Sequence, residues 1–208
     1  MPQKIVIVDY GMGNIQSVFR KFLMIGITPV VSNDPVIIKN ADKLILPGVG
    51  HFGKAMSNLV TLGLFDNLNE TVLVRKIPIL GICLGMQLMT NGSEEGNSAG
   101  FGWIDAEVRK FRVSNKLEYK VPHVGWNQIE IVKESRLMGD IANNSEFYFV
   151  HSYVCKCNNE EDILNVSNYE MQFVSAFEKE NIFGVQYHPE KSFDVGKRLI
   201  HNFIQLNV

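Results

Sequence analysis

The stretch "PILGICLGMQLM", residues 78–89, decides how the rest of the chain is read. An apolar run, "IPILGI" (77–82), has the character of a strand buried on both faces. A helical pattern starts immediately after Cys83, and the cysteine stands between Gly81 and Gly85. A strand that enters a helix through a turn flanked by small residues is the G-x-C-x-G form of a nucleophile elbow. Two readings follow. In one, a small sulfur-bearing side chain fills a tight corner. In the other, the helix start at Leu84 turns its amides and positive dipole end toward the thiol and favours the reactive thiolate. The Leu84 N–H would then also be placed to bind an oxyanion.

Outward from this corner, the first 90 residues alternate strand and helix. "KIVIVD" (4–9), "TPVVS" (28–32) and "KLILPG" (43–48) read as strands. A helix runs from Asn14, its predicted cap, to about Ile25, with Ile15, Val18, Phe19, Phe22 and Leu23 on one face. Further helices follow His51 and lie near 63–75. That alternation predicts right-handed crossovers and a mostly parallel sheet flanked by helices. The second half reads differently. "WIDAEVRKF" (103–111), "NQIEIV" (127–132), "FYFVHSYV" (147–154), "MQFVSAF" (171–177) and "NIFGVQYH" (181–188) suggest antiparallel pieces added to that core, closed by a helix at 192–206. The polar, Gly-rich "NGSEEGNSAG" (91–100) reads as a mobile surface loop. The expectation is a single mixed α/β domain spanning 1–208.

Composition narrows the function class. The 208 residues carry 20 Lys+Arg against 22 Asp+Glu, so no basic excess points to nucleic acid. No apolar run is long enough to span a membrane, and the N-terminus lacks the features of a secretion signal. Three cysteines do not make a disulfide framework. The expected setting is cytoplasmic, with reduced thiols.

In an open parallel sheet, ligands collect at the carboxyl ends of the strands. Cys83, "PGVG" (47–50) and "YHPEKS" (187–192) all follow predicted strands. A cysteine nucleophile needs a base, and the base needs an orienting group. His188 and Glu190, two apart around Pro189, supply both. The glycines around Val49 allow a backbone flip that presents an N–H to a ligand. Each motif alone is weak: the bland readings are a packing cysteine, a surface turn and a common Gly-rich turn. "HSYVCKC" places His151, Cys155 and Cys157 on alternate positions of one predicted strand, but zinc-site C-x₂-C spacing is missing, and packing is the better reading. "GMGNIQ" (11–16) lacks the third glycine of a dinucleotide loop. Trp126 reads equally as core aromatic or interface anchor. No metal or cofactor is expected.

"PGVG", "GICLGMQLM" and "YHPEKS", in this order, resemble the class I (triad-type) glutamine amidotransferases, and the resemblance covers essentially the whole chain. "VDYGMGNIQSV" and "VPHVGWN" narrow it toward the glutaminase subunits of imidazole glycerol phosphate synthase. The resemblance implies a flavodoxin-like fold. It implies Cys83 as nucleophile, His188 as acid and base, and Glu190 as orienter, with an oxyanion hole at Val49, Gly50 and Leu84. It implies glutamine binding by Gly48, Gly50, Gln87, Glu95, His151, Ser152 and Tyr153. It also implies a cyclase subunit as heterodimeric partner and ammonia receiver, met by Asn14, Trp126, Tyr148 and Lys191. The "PGVG" loop is then the natural switch for partner activation. Three other functions compete: a paralogue feeding ammonia to an amidotransferase of surface sugars, a cysteine peptidase or thiol-stress protein on a similar sheet, and a non-enzymatic interaction module.

Overall fold

The computed structural model describes residues 3–206. Its first half runs β1 (Ile5–Val8), α1 (Ile15–Met24), β2 (Val30–Ser32), α2 (Pro35–Lys39), β3 (Lys43–Gly48), α3 (Phe52–Thr61), α4 (Leu64–Asn69), β4 (Ile79–Cys83) and α5 (Leu84–Leu88). Then come β5 (Gly92–Ser93), β6 (Ser98–Ala99), β7 (Ala106–Lys110), β8 (His123–Gln128), β9 (Glu130–Ile131), β10 (Glu146–His151), β11 (Tyr153–Cys157), β12 (Ile163–Tyr169), β13 (Met171–Lys179), β14 (Ile182–Val185) and α6 (Phe193–Gln205).

The central strands lie in the order β2-β1-β3-β4-β14, all parallel. With β14 counted as the fifth, this is the 2-1-3-4-5 order of a flavodoxin-like sheet. The sheet continues through β13, β11 and β7, which pair antiparallel, so the parallel part is its core and the antiparallel part its wing. β8 and β10 form a separate two-stranded ribbon.

Because successive strand residues point to opposite faces, β1 feeds two cores at once. Val6 and Val8 join Leu44, Leu46, Phe52, Leu59, Leu64 and Leu68 on the face covered by α3 and α4. Ile5 and Ile7 join Ile45, Leu80 and Ile82 against Val18 and Phe22 of α1 and Leu199 and Phe203 of α6 on the other. The i, i+4 spacing of each helical pair puts both side chains on one stripe. Asn14 caps α1 as predicted, its side chain accepting from Ser17 N at 3.3 Å.

Several boundaries differ from expectation. The run 147–154 is not one strand: it breaks at Ser152, leaving β10 in the ribbon and β11 in the main sheet. The run 127–132 likewise divides between β8 and β9. Helix α2 was not predicted; Asp34 caps it, accepting from Val36 N at 2.8 Å, and Pro35 starts it. β12 was also unpredicted. Residues 164–167 are all buried, including the polar Asn165 and Ser167, so no apolar alternation marks it. The predicted helix near 63–75 is α4 followed by a π-helical turn, Glu70–Val74. The predicted loop 91–100 contains the paired β5 and β6, and β5 joins β7. Among the described residues no helix is long and apolar enough to cross a membrane.

Candidate active site

β3, β4 and β14 are neighbours, so the segments that follow them emerge together. Gly48 is the register partner of Cys83, and Ile82 of Val185. The three sequence motifs therefore meet at one sheet edge. Tyr10, just beyond β1, adds a brace: its hydroxyl donates to the Pro47 carbonyl at 2.7 Å.

Cys83 sits at φ 55°, ψ −111°, a region that non-glycine residues rarely occupy. The flanking glycines make this corner possible. A Cβ on Gly85 would stand 1.7 Å from the Leu46 carbonyl oxygen, and one on Gly81 2.7 Å from Met86 N. The elbow is pressed onto β3 with no room for a side chain. α5 follows at once, leaving the Leu84 amide at its first position.

His188 is placed by its own backbone. Its N–H donates to the Tyr148 carbonyl at 2.8 Å, and its carbonyl accepts from Ser192 Oγ at 2.6 Å. Nδ1 lies 2.7 Å from Glu190 Oε1, with both side chains only 2% exposed. Nε2 makes no bond of ordinary hydrogen-bond geometry, yet Cys83 lies near enough to act on it electrostatically. Burial disfavours a charge on this ring. The negative Cys83 sulfur and the Glu190 carboxylate outweigh it and raise the His188 pKa to about 10.

In front of the sulfur lies a cavity of about 320 Å³. Val49, Gly50, Cys83, Leu84, Gln87 and Glu95 line it, together with His151, Ser152 and Tyr153. Every predicted glutamine-binding residue except Gly48 reaches it. Gly48 lies beneath instead, where a Cβ would meet Tyr10 Oη at 2.5 Å and Leu84 Cβ at 2.8 Å. Gly50 has φ 110°, open to glycine alone, and Val49 is 39% exposed. Glu95 is held by a bond from Phe52 N to Oε2 at 2.7 Å, so the polar loop that carries it is tied to the start of α3.

The predicted partner residues divide. Tyr148 and Trp126 are register partners in the ribbon, their rings 5.9 Å apart, and Lys191 Nζ lies 5.3 Å from the Tyr148 ring. Trp126 is 43% exposed, so it is not a core aromatic. Phe193, which the sequence did not single out, stacks on it at 4.9 Å. Asn14 stands on a different segment, as the cap of α1.

The cysteine-histidine strand reading is corrected. His151 belongs to β10, whereas Cys155 and Cys157 belong to β11. Among the described residues no cluster of side chains is arranged to hold a metal. Burial pushes both thiols up, that of Cys157 to about 12, which fits packing. Three residues of the site escaped sequence reading. Pro122 lines the cavity. His123 is buried, its Nδ1 3.0 Å from His151 Nε2. Gln186 is fully buried, with Nε2 3.5 Å from Cys83 Sγ. A polar residue at the end of the apolar run "IFGV" was the available signal for it.

The chain is similar to known proteins over nearly its whole length. It is 50% identical to imidazole glycerol phosphate synthase subunit HisH 2 of Methanococcus maripaludis over 201 residues, which cover 97% of this chain and 98% of that one. It is 47% identical to subunit HisH 1 of Campylobacter jejuni over 203 residues, covering 97% and 100%. Among solved structures, PurLQS from Thermotoga maritima superposes with a TM-score of 0.74 at 14% identity, covering 98% of each chain, a likeness of fold. The family described as glutamine amidotransferase class-I matches residues 6–206, and the chain belongs to that family.

Proposed function

We propose that the chain is the glutaminase subunit of an imidazole glycerol phosphate synthase, acting in the cytoplasm and passing ammonia to a cyclase subunit in histidine biosynthesis. The observation that carries this is the cavity in front of Cys83, with the His188–Glu190 pair beside the sulfur. The names of the relatives support the customer.

In this reading the Cys83 thiolate attacks the side-chain carboxamide carbon of glutamine. The negative oxygen that forms is met by the amides of Val49 and Leu84. His188, held protonated by its neighbours, gives its proton to the leaving nitrogen, and ammonia departs. Water then attacks the glutamyl thioester, His188 takes its proton, and glutamate and the free thiolate are restored. Glu190 orients the ring and balances its charge. Gln87, Glu95, Ser152 and Tyr153 surround the amino-acid end of the substrate.

Ammonia released into water at neutral pH becomes ammonium, which is no nucleophile. A docked partner that receives it directly solves this. The exposed Trp126, Lys191 and Phe193, packed around the half-buried Tyr148, support a docking face, with Asn14 as a separate contact. The "PGVG" loop is the switch. A flip of the peptide before Val49 adds or removes one oxyanion donor, worth about 3–4 kcal/mol in the transition state.

A second reading rests on the relatives' names, which carry copy numbers, HisH 2 and HisH 1. A paralogue serving a surface-sugar amidotransferase would have the same catalytic residues. The test is glutamate release from glutamine, with and without a histidine-pathway cyclase subunit and its nucleotide ligand, and with Cys83→Ala as the blank. Strong stimulation that the mutant loses supports the first reading. Weak release that the cyclase does not raise favours the second. No release at all removes the glutaminase reading.

A further inference from the structure

Gln186 sits between β14 and His188 and is fully buried. A buried primary amide must place two donors and its acceptor oxygen. Here the partners are unusual. Oε1 accepts from Gln87 Nε2 at 2.9 Å, and Nε2 donates to Cys83 Sγ at 3.5 Å.

The direction of this amide follows from its neighbours. The Tyr153 carbonyl can only accept, and it accepts from Gln87 Nε2 at 3.3 Å. That places the nitrogen of Gln87 on this side. The atom of Gln186 that meets the same nitrogen must accept, so it is the oxygen. The NH₂ end is therefore turned to the sulfur. The backbone is equally held: Gln186 N donates to the Ser175 carbonyl at 2.9 Å. Gln87 lies on α5, four residues after Cys83, so the contacts run from that helix through Gln186 back to the sulfur.

A thiol is a weak acceptor of hydrogen bonds, and an anion is a strong one. A donor held against the sulfur thus favours its ionised form and fixes the direction in which it points. Besides His188, Sγ also faces the Val150 carbonyl at 3.9 Å, an acceptor on the cavity wall. It suits the protonated thiol and offers the anion nothing.

We propose that Gln186 is a further catalytic residue of this site, the N–H donor that holds the Cys83 sulfur ionised and aimed, and that Gln87 is a positioning residue that sets the direction of the Gln186 amide. This rests on the reading of Cys83 as the nucleophile of a glutaminase, and it adds a third group to the His188–Glu190 pair. Gln87 in consequence faces inward as well as lining the cavity: its nitrogen is committed to Tyr153 and Gln186.

The test is the rate of Cys83 alkylation by iodoacetamide against pH, located by peptide mass mapping, in the full chain and in Gln186→Leu, Gln186→Asn and Gln87→Leu. Glutamate release with the cyclase subunit is measured alongside. The alkylation midpoint should rise by about one pH unit in Gln186→Leu, the size of one hydrogen bond to a charged acceptor. In that variant kcat should fall about tenfold with KM little changed. Gln87→Leu, which frees the amide to turn, should move the midpoint the same way by less. Gln186→Asn keeps a buried amide but draws it away from the sulfur, and serves if the leucine variant does not fold. An unchanged midpoint in a folded Gln186 variant would overturn the proposal and leave this amide a packing group. A chain that releases no glutamate with any partner would remove the glutaminase reading, while the alkylation profile would still decide whether Gln186 acts on the thiol.

Discussion

Gly48 and Cys83 are register partners on adjacent parallel strands, β3 and β4. Both strands end at this level, so the loop with the proposed oxyanion amide and the elbow with the proposed nucleophile leave the sheet side by side. The pairing explains why the site tolerates so little change. The two backbones approach closely because glycines stand where side chains would collide.

Gly85→Ala tests that approach. The new Cβ would meet the Leu46 carbonyl oxygen at 1.7 Å, a backbone atom of a packed strand that cannot easily move away. The cost should exceed about 3 kcal/mol, at the large end for one substitution. Urea unfolding would read it as a lower midpoint or as failure to fold. A loss under about 1 kcal/mol would show that the elbow can relax.

Glu190→Gln separates orientation from charge. The amide oxygen still accepts from His188 Nδ1, but the negative charge 2.7 Å from the ring is gone. Partner-stimulated glutamate release should fall by about 10²-fold or more, mainly in kcat. The ring's protonation midpoint should fall below its present value near 10, which imidazole NMR would follow. An unshifted midpoint would assign the effect to Cys83 alone.

Acid should weaken the fold before the carboxylates titrate. Burial pushes His123 down to about 4 and His151 to about 3, against an ordinary value of 6.5. Below pH 6.5 the unfolded chain therefore binds protons that the folded chain refuses, and stability falls with pH. Between pH 6.5 and 5 one such ring contributes about 2 kcal/mol of that loss. His188 is displaced the other way. Its share is complete below pH 6.5 and is lost only as pH rises toward 10, so it does not mask the trend. Urea midpoints at pH 7 and 5 would show the drop, and His123→Phe should flatten it. A drop of equal size in that variant would clear His123 of the effect.

Trp126→Ala examines the proposed docking face. The indole is 43% exposed and stacks on Phe193, itself 72% exposed, with Tyr148 beneath. Buried under a partner, it has the character of an interface anchor. Titration calorimetry with the cyclase subunit should find a Kd raised about 30-fold or more, roughly 2 kcal/mol. An unchanged Kd would remove Trp126 from the interface.

Much of the candidate site was legible in the chain. Cys83, "PGVG" and "YHPEKS" could be read because each follows an apolar strand, and strand ends in a parallel sheet share one edge. The alternation of "KIVIVD" and its neighbours determined the α/β core, because a strand covered by helices on both faces must be apolar throughout. The wing was harder. β12 buries two polar residues, Asn165, which bonds to Tyr187 and Ser175, and Ser167, and so leaves no apolar period to detect. The break at Ser152 was invisible because both halves of the run have strand character, and only their pairing with different sheets divides them. Gln186 shows the limit most sharply. Its place in the chain says that a polar group ends an apolar strand, and nothing more. Its role comes from Gln87, Tyr153 and Cys83, which lie far from it in sequence and meet only through packing. Sequence by itself determined which residue types stand at the strand ends, since local pattern and backbone sterics act over a few residues. The tertiary structure alone decided which polar atoms face one another, since hydrogen-bond direction depends on partners brought together from distant parts of the chain.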